Sequence, residues 1–250
     1  MNTANGGFIT NQKIPSEVTA DFETEGCEIA LAFDPIPSLK YASGNSAATI
    51  RMIFETGFDL TGFALIRHNL NTATAVKLRS YTDEIFSTLI VENDIEITQG
   101  IDTYAIISNM NEVKYLELYI TTDLDTIEIG CIFPGDAFQF PHNYNWGFKR
   151  KFKVPKKIET SDYGVHFETF SEEKPEWHEY QIEFEDVDQA FYDEYKALIR
   201  PGKKVFILCF TNPLCHYGIV PNEALEASRN RPGDSYRLDF YEDAITQEVE

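Results

Sequence analysis

The stretch GFALIRHNLNTATAVKLRSYTDE, residues 62–84, decides the fold, because one apolar run ends at His68-Asn69 and an alternating run follows a few residues later. Alternation of apolar and polar residues with a period of two predicts a β-strand with one buried face. Asn71 and Thr72, which lie between the two runs, favour a turn. The stretch therefore predicts two strands joined by a turn, with His68 and Asn69 at the end of the first strand.

Seven runs of this kind, each of about six to nine residues, fill the first half of the chain. Gly, Asn, Asp or Pro residues bound them, as is usual for strands. They cover residues 27–33, 47–55, 62–69, 74–82, 104–109, 114–121 and 125–133. Short strands at this spacing imply a β-sandwich or a β-barrel.

The strand pattern breaks around Gly135, and we place a domain junction at residues 133–145. Beyond it, runs such as HEYQIEFEDV and SYRLDFYED again predict strands. The segment DVDQAFYDEYKALIRPG, residues 186–202, has apolar residues at helical spacing and ends in Pro-Gly. It predicts one amphipathic helix packed on a second sheet.

The division of the chain follows from this junction. Residues 1–24 contain many Asn, Thr and Gly residues and are expected to form an arm that becomes ordered only on assembly. Residues 25–138 are expected to be a β-sandwich domain, and residues 139–250 a second β-rich domain with one helix. The predicted fold class is therefore mainly β.

The net charge and the lengths of the apolar runs restrict the classes of function that we expect. The chain carries 41 acidic and 21 basic residues, a formal charge of −20. Such a surface repels phosphate, so a nucleic-acid partner is not expected. The N-terminus has no charged head followed by an apolar run, and no apolar run reaches the length of a membrane span. We therefore expect neither export nor membrane insertion, but folding in a cytoplasm.

His68 and Asn69 are the first candidate site. Their structural interpretation is that the His68 ring covers the edge of the core and hydrogen-bonds the loop, while Asn69 adopts a left-handed conformation. The alternatives are contact with a ligand and catalysis. No Ser or Cys nucleophile with an orienting acid is recognisable nearby, so the structural interpretation is favoured.

The second candidate site is a basic segment between aromatic residues, WGFKRKFKVPKK. Alternating aromatic and basic residues occur in three kinds of surface: a platform for single-stranded nucleic acid, a solvated face, and a docking face for an acidic partner. In so acidic a chain, docking of a partner is favoured, including a copy of the chain's own acidic first domain. Its cations are Lys149, Arg150, Lys151, Lys153, Lys156 and Lys157.

Other chemistry is weakly indicated. Cys209, Cys215 and His216 do not have the spacing of a zinc site, and the four cysteines sit mostly in apolar runs, as reduced core thiols do. Acids near Trp177 could flank a sugar bond, but alternation along a strand places many acids on one solvated face by default. We therefore predict no catalytic residue, no metal, no cofactor and no enzymatic activity.

Two resemblances follow from these motifs. GFALIRHNLNTATAVKLRSYTDE, with the later KYLELYITTDLDTIEIGCIFPG, resembles the galactose-binding-like jelly-roll domain of tailed-bacteriophage structural proteins, over most of residues 25–135. The second half resembles the β-rich C-terminal part of the same kind of tail protein. Its motifs are PGDAFQFPHNYNWGF, SDYGVHFET, YQIEFEDVDQAFYDEYKALI, GKKVFILCFTN and YRLDFYED.

The resemblance implies a structural component of the virion, at the tail tip, at the baseplate or as a tail-fibre adaptor. Its partners would be other tail or baseplate proteins and copies of itself, and it would be made in the host cytoplasm. The alternative is a carbohydrate-binding module that contacts host surface glycans. Because one fold carries many functions, a visible site has to decide between the two.

Overall fold

The computed structural model divides the chain into two compact units. The first unit comprises Met1–Asn143 with Val205–His216, and the second comprises Tyr144–Lys204 with Tyr217–Glu250. The structure describes residues 7–34, 40–97, 102–140, 149–153, 156–160, 166–170, 177–187, 190, 193–194, 197, 206–209, 215–219, 226–228 and 234–242.

Strands dominate both units. In chain order they are β1 Gly7–Thr10, β2 Glu17–Ala20, β3 Tyr41–Ser43, β4 Ala47–His68, β5 Ala75–Tyr81, β6 Leu89–Ile95, β7 Thr103–Thr121, β8 Ile127–Gln139, β9 Lys149–Lys153, β10 Lys156–Thr160, β11 His166–Phe170, β12 Trp177–Val187, β13 Phe206–Cys209, β14 Cys215–Ile219, β15 Glu226–Ser228 and β16 Asp234–Glu242. The predicted mainly β fold is confirmed.

Two long strands, β4 and β7, organise the first unit. The first half of β4 pairs with β2 on one side and with the end of β7 on the other. From Gly62 onward, β4 pairs instead with the beginning of β7 and with β8. Register shifts between Ile53 and Gly62 bend the strand pair between these halves. The two halves of β4 thus pair with different strands, β2 in the first half and β8 in the second.

The remaining strands extend the two halves. On the first half, β5 pairs with β7, and β6 pairs with β5. On the second half, β3 and β1 pair with β8, and β13 pairs with β1. All of these pairings are antiparallel. The resulting strand orders are β2-β4-β7-β5-β6 and β7-β4-β8-β1-β13.

Alternation along the strands builds the core. In the first half of β4, Ile50, Met52 and Phe54 are buried, while Arg51 and Ile53 between them are partly exposed. Strand β7 repeats the pattern, and its apolar residues join the same core cluster. These two strands therefore have one face toward the core and one away from it, as the alternation in the sequence predicted.

Three local predictions are corrected. Residues 27–33 were expected to be a strand, but Ile29–Phe33 form a 3-10 helix with Ile29, Ala32 and Phe33 buried. Ala32 and Phe33 lie three and four residues after Ile29, so helical spacing rather than alternation buries these residues. The predicted strands 47–55 and 62–69 are one strand, and so are 104–109 and 114–121. Their polar interruptions are bends rather than turns.

The arm predicted at residues 1–24 is also corrected for residues 7–24. Strand β1 lies between β8 and β13, and all four of its residues are buried. Gly62 and Gly135 face each other across β4 and β8, and a Cβ at either position would meet Ile9. Two glycines therefore leave the space that β1 fills.

The boundary of the second domain differs as well. We expected residues 139–250 to form it, but Val205–His216 belong to the first unit. Strand β13 in this segment pairs with β1, so it adds a strand to the first unit. The pairing joins residues about 200 positions apart, which periodicity in the sequence does not encode.

The second unit is also antiparallel. Strand β12 pairs with β9 on one side and with β16 on the other, while β14 and β15 pair with β16. Strands β10 and β11 form a separate two-stranded sheet. In the predicted helix, Ala190, Asp193, Glu194 and Ala197 are helical and exposed. Its apolar residues Phe191, Tyr195, Leu198 and Ile199 lie outside the described residues.

Replacing Gly135 by Ala should destabilise the first unit by about 1–3 kcal/mol, because the new Cβ would overpack against β1. It would lie 2.4 Å from the Thr10 carbonyl oxygen. Chemical denaturation of the full chain measures the change in unfolding free energy. Gly44→Ala is the matched control, because its Cβ would meet nothing nearer than the Thr24 hydroxyl at 4.0 Å. Equal effects of the two substitutions would contradict the packing of β1 on Gly135.

Candidate functional site

A cavity of about 210 Å³ opens on the outer face of the first unit. It lies where β2 and β4 meet the loop between β5 and β6, residues 82–88. We call it the sheet-face cavity. Its lining residues are Glu17, Thr19, Arg51, Ile53, Glu84, Ile85 and Phe86. Three of these are apolar and four are polar or charged.

Asp83 organises the loop over the cavity. Its carboxylate accepts hydrogen bonds from the backbone N–H groups of Ser87 and Thr88, both at 3.0 Å. The backbone carbonyl of Asp83 accepts a further bond from the Phe86 N–H at 3.1 Å. The Ser87 N–H bond, with that from Thr88, lowers the pKa of the Asp83 carboxyl. This anchor is therefore lost only as the pH falls below the ordinary range of an aspartate.

Phe86 has a backbone conformation that bulky residues rarely adopt. Its φ is 53°, in the left-handed region. The ring meets Tyr81 edge-on at 5.4 Å and Tyr115 at 6.3 Å between centroids. The Arg51 guanidinium carbon lies 5.6 Å from the ring centroid. These contacts offset the backbone strain and hold the ring at the cavity wall.

A row of alternating charges crosses the sheet beside the cavity, and we call it the charged row. Arg51, Glu117, Arg79 and Glu92 lie directly opposite one another on β4, β7, β5 and β6. The Glu117 side chain is only 5% exposed and accepts hydrogen bonds from Arg51 Nε at 3.1 Å and Arg79 Nη1 at 3.2 Å. Such pairing is what makes a buried carboxylate tolerable.

Tyr81 completes this arrangement. Its hydroxyl donates a hydrogen bond to Glu117 Oε1 at 3.1 Å. Burial raises the pKa of Tyr81, and the negative charge of Glu117 adds to the effect. The hydroxyl therefore stays a donor well above neutral pH. Arg51, which lines the cavity, and Tyr81 therefore both bind the Glu117 carboxylate.

The cavity suits binding of a small polar ligand with an apolar side. Glu17, Glu84 and Thr19 offer oxygen atoms to hydroxyl donors, whereas Ile53, Ile85 and Phe86 offer an apolar wall. Binding sites typically combine apolar walls with a few placed polar groups.

Among the described residues, no group of three or more His, Cys, Asp or Glu side chains could hold a metal ion. In the same part of the chain, no helix is long and apolar enough to cross a membrane.

His68 and Asn69 do not line this cavity. His68 Nε2 shares a hydrogen bond of 3.0 Å with the Thr103 hydroxyl on β7. Asn69 binds the beginning of β8 through three bonds: its backbone N–H donates to the Glu128 carbonyl, its amide donates to the Thr126 carbonyl, and its side-chain oxygen accepts from the Glu128 N–H. These contacts support a structural role, and contact with a ligand stays a prediction.

The details of this turn differ from those expected. We expected Asn69 to adopt the left-handed conformation, but Arg67 does so, with φ of 51°. The Arg67 N–H donates a hydrogen bond of 2.7 Å to Asp102, and this bond supports the strained residue. His68 contacts the Thr103 side chain on the neighbouring strand β7. The turn is therefore held by β7 and β8, which the local sequence does not reveal.

The predicted basic patch is divided between two strand pairs. Lys149, Arg150, Lys151 and Lys153 belong to β9, which pairs with β12. Lys156 and Lys157 begin β10, which pairs with β11. The side chains of these six residues lie outside the described part of the structure, so docking through them stays a prediction. The side chains of Trp177, Cys209, Cys215 and His216 also lie outside the described part of the structure.

The two described cysteines are free thiols. Cys131 is buried in β8, and burial raises its pKa to about 12. It is therefore protonated and unreactive at neutral pH. Cys27 is partly exposed.

Arg51, Glu117 and Phe86 were not among the candidate residues predicted from the sequence. The alternation that places Arg51 and Glu117 on the outer faces of β4 and β7 was visible, but their pairing across the sheet was not. Phe86 gave a signal that could have been used. It follows Ile85 in the acidic turn TDEIFST, where two large apolar residues have no strand to join.

Comparison with known proteins leaves the family open. No protein-family model matches the chain, and no curated protein matches its sequence. The lectin domain of lectinolysin, complexed with Lewis B antigen, is 10% identical, with a TM-score of 0.40 over 56% of this chain and 97% of that domain. The family 32 CBM from C. perfringens NanJ, in complex with galactose, is 12% identical, with a TM-score of 0.41 over 50% and 98%.

A fucose binding module of Streptococcus pneumoniae is 8% identical, with a TM-score of 0.41 over 52% of this chain and 96% of that chain. Likenesses with TM-scores below 0.5 decide neither the fold family nor the ligand. The resemblance to galactose-binding-like domains of tailed bacteriophages therefore stays a prediction from the sequence.

Replacing His68 by Ala should lower the unfolding free energy by about 1–3 kcal/mol, because a partly buried hydrogen bond to Thr103 is lost. Thermal or urea unfolding measures this. Thr103→Val removes the same bond from the other side, so the double variant should lose less than the sum of the two single variants. Unchanged melting of His68→Ala together with lost ligand binding would assign His68 to a binding site instead.

Proposed function

We propose that the protein is a non-catalytic binding protein whose first unit recognises a glycan through the sheet-face cavity. The observation that carries the proposal is the combination of an aromatic wall, Phe86, with the oxygen atoms of Glu17, Glu84 and Thr19 around one small cavity. A pyranose ring has an apolar face of C–H groups and a rim of hydroxyl donors, and it needs both kinds of wall.

Preorganisation supports the proposal. Asp83 fixes the loop, and Tyr81, Tyr115 and Arg51 fix the Phe86 ring. A ligand would therefore meet a wall that is already in place, and less entropy is lost on binding. The strained φ of Phe86 also supports a binding site here, because backbone strain of this kind is often found at ligand sites.

The charges around the cavity favour a neutral or amine-bearing sugar over an acidic one. Glu17 and Glu84 line the cavity, and the one lining cation, Arg51, already pairs with Glu117 and Asp21. A carboxylated sugar would meet uncompensated negative charge here and in the surrounding field of a chain of charge −20. The volume, about 210 Å³, suits a single terminal residue rather than a long chain.

The 250-residue chain should bind at least one neutral or amine-bearing glycan on a glycan array, with the affinity then measured by calorimetry. Phe86→Ala should weaken that binding by about tenfold or more, because the apolar wall is lost. Phe22→Ala is the matched control, because it removes a phenylalanine ring that is 48% exposed and does not line the cavity.

The full chain is needed in this experiment, because β13 near residue 207 pairs with β1 and a fragment ending near residue 138 would lack it. Thermal melting of both variants separates a lost wall from a lost fold. Absence of any glycan bound by the wild type, or equal weakening by Phe22→Ala, would overturn the proposal.

A structural role in a tailed-phage particle is the second candidate function, and one observation favours it. Ile85, in the loop before β6, and Leu89 and Ile90, at the beginning of β6, are 77%, 48% and 57% exposed and lie within six residues. Large apolar side chains grouped on a surface mark contacts with other macromolecules. A contact of this kind would suit a protein that acts through neighbours in an assembly.

If this second function is right, the chain should remain with intact particles of the encoding phage through a density gradient, in a fixed ratio to a known tail protein. Mass spectrometry of the purified particles measures the ratio, and antibody labelling in electron micrographs gives the position. A chain found only in the lysate and never on particles would exclude this role.

A further inference from the structure

Strand β6 is an acidic edge of the first unit. In the described part of the chain it pairs with β5 alone, so the backbone groups of its other side have no strand partner. It carries Glu92 and Asp94, and Glu96 follows directly. No lysine or arginine occurs in the sequence between Arg79 and Lys114. The strand therefore presents a negative edge.

The charges of this edge are accessible to different extents. Glu92 binds Lys77 and Arg79 on β5. The Asp94 side chain is 84% exposed, and its nearest cation, Lys77, is 3.7 Å away. Glu96 is also exposed. Asp94 and Glu96 are thus open to a partner from outside the molecule.

Strand β9 is a basic edge of the second unit. It has five residues, of which Lys149, Arg150, Lys151 and Lys153 are cationic. Within the described ranges it pairs with β12 alone, so it too ends a sheet. Among the described strands, the chain therefore carries an acidic edge on the first unit and a basic edge on the second.

These charges select the partner of each edge. Charged residues on edge strands keep equal edges apart, because like charges directly opposite each other are destabilising. Two β6 strands would oppose acid to acid, and two β9 strands would oppose base to base. Strand β6 against β9 is the combination in which the charges are complementary.

We propose that β6 of one molecule pairs with β9 of a second copy, in an antiparallel register that places Asp94 opposite Lys151. The same register places Glu96 opposite Lys149 and Glu92 opposite Lys153. Three acid–base pairs then follow from one alignment, in addition to the backbone hydrogen bonds of an added strand.

The contact is heterologous, because the two partners use different surfaces. Each molecule has both β6 and β9, so every copy can bind two neighbours. Contacts of this type build a closed ring or an open chain, according to the angle between successive copies. Self-association should therefore go beyond a dimer and should weaken with salt, because exposed charges are screened.

Two charge-reversed variants of the full chain test the pairing. One carries Asp94→Lys and Glu96→Lys, and the other carries Lys149→Glu and Lys151→Glu. Each variant alone should remain monomeric in sedimentation velocity at low ionic strength, because both of its edges then have the same sign. An equimolar mixture should associate again, because each variant supplies the edge that the other lacks.

Glu25→Lys with Glu55→Lys is the matched control, because both residues are exposed and lie outside β6. This variant makes the same change in net charge as the acidic-edge variant and should associate like the wild type. Recovery in the mixture also excludes misfolding of the variants, because misfolded chains would not complement each other. A monomeric wild type, an associating single variant or a monomeric mixture would overturn the proposal.

Carbodiimide cross-linking of associated wild type tests the register. It joins a carboxylate directly to a lysine amine in contact with it. The experiment uses a mixture of isotopically light and heavy protein, so that links between copies can be recognised. Mass spectrometry should then find Asp94 joined to Lys151 and Glu96 joined to Lys149 as links between copies. Links between copies that omit residues 92–96 would contradict the register.

Discussion

The pairing of β4 with β7 is the interaction on which the first unit depends. These two strands run side by side through three register shifts, and most other strands of the unit attach to one of them or to the adjacent β8. One face of the pair supplies much of the apolar core. The bend is essential because a straight pair of this length could not bring both halves over one core.

The outer face of the same pair carries the candidate site. Side chains alternate along β4, so Arg51 points outward between the buried Ile50 and Met52. Glu117 on β7 lies directly opposite Arg51. Burial of the Glu117 carboxylate is tolerable because two guanidinium groups and a phenol bind it. The charged row thus gives the sheet a rigid outer surface, and the loop that carries Phe86 closes over one end of it.

The two proposed contacts use different parts of the molecule. The sheet-face cavity would take a single sugar residue on the outer face of β2 and β4, whereas an added strand would bind along the edge of β6. The loop before β6 lines the cavity and β6 is itself the edge, so residues 84–96 contain residues of both proposed contacts. A glycan-binding unit that also assembles into rings or chains would bind with higher avidity, because each added copy brings another site near the same surface.

The sequence by itself determined which residues face the core in most strands, the turn after His68, and the acidic character of the chain, because alternation, turn chemistry and charge are local properties. Only the tertiary structure decided that residues 7–10 are a buried strand, that Val205–His216 belong to the first unit, and that Ile29–Phe33 are a 3-10 helix. It also brought Phe86 to Arg51 and Glu117 to two arginines. The physical reason is that a strand's partner and the residues across a sheet are set by pairing between distant segments, and no periodicity within one segment records that choice.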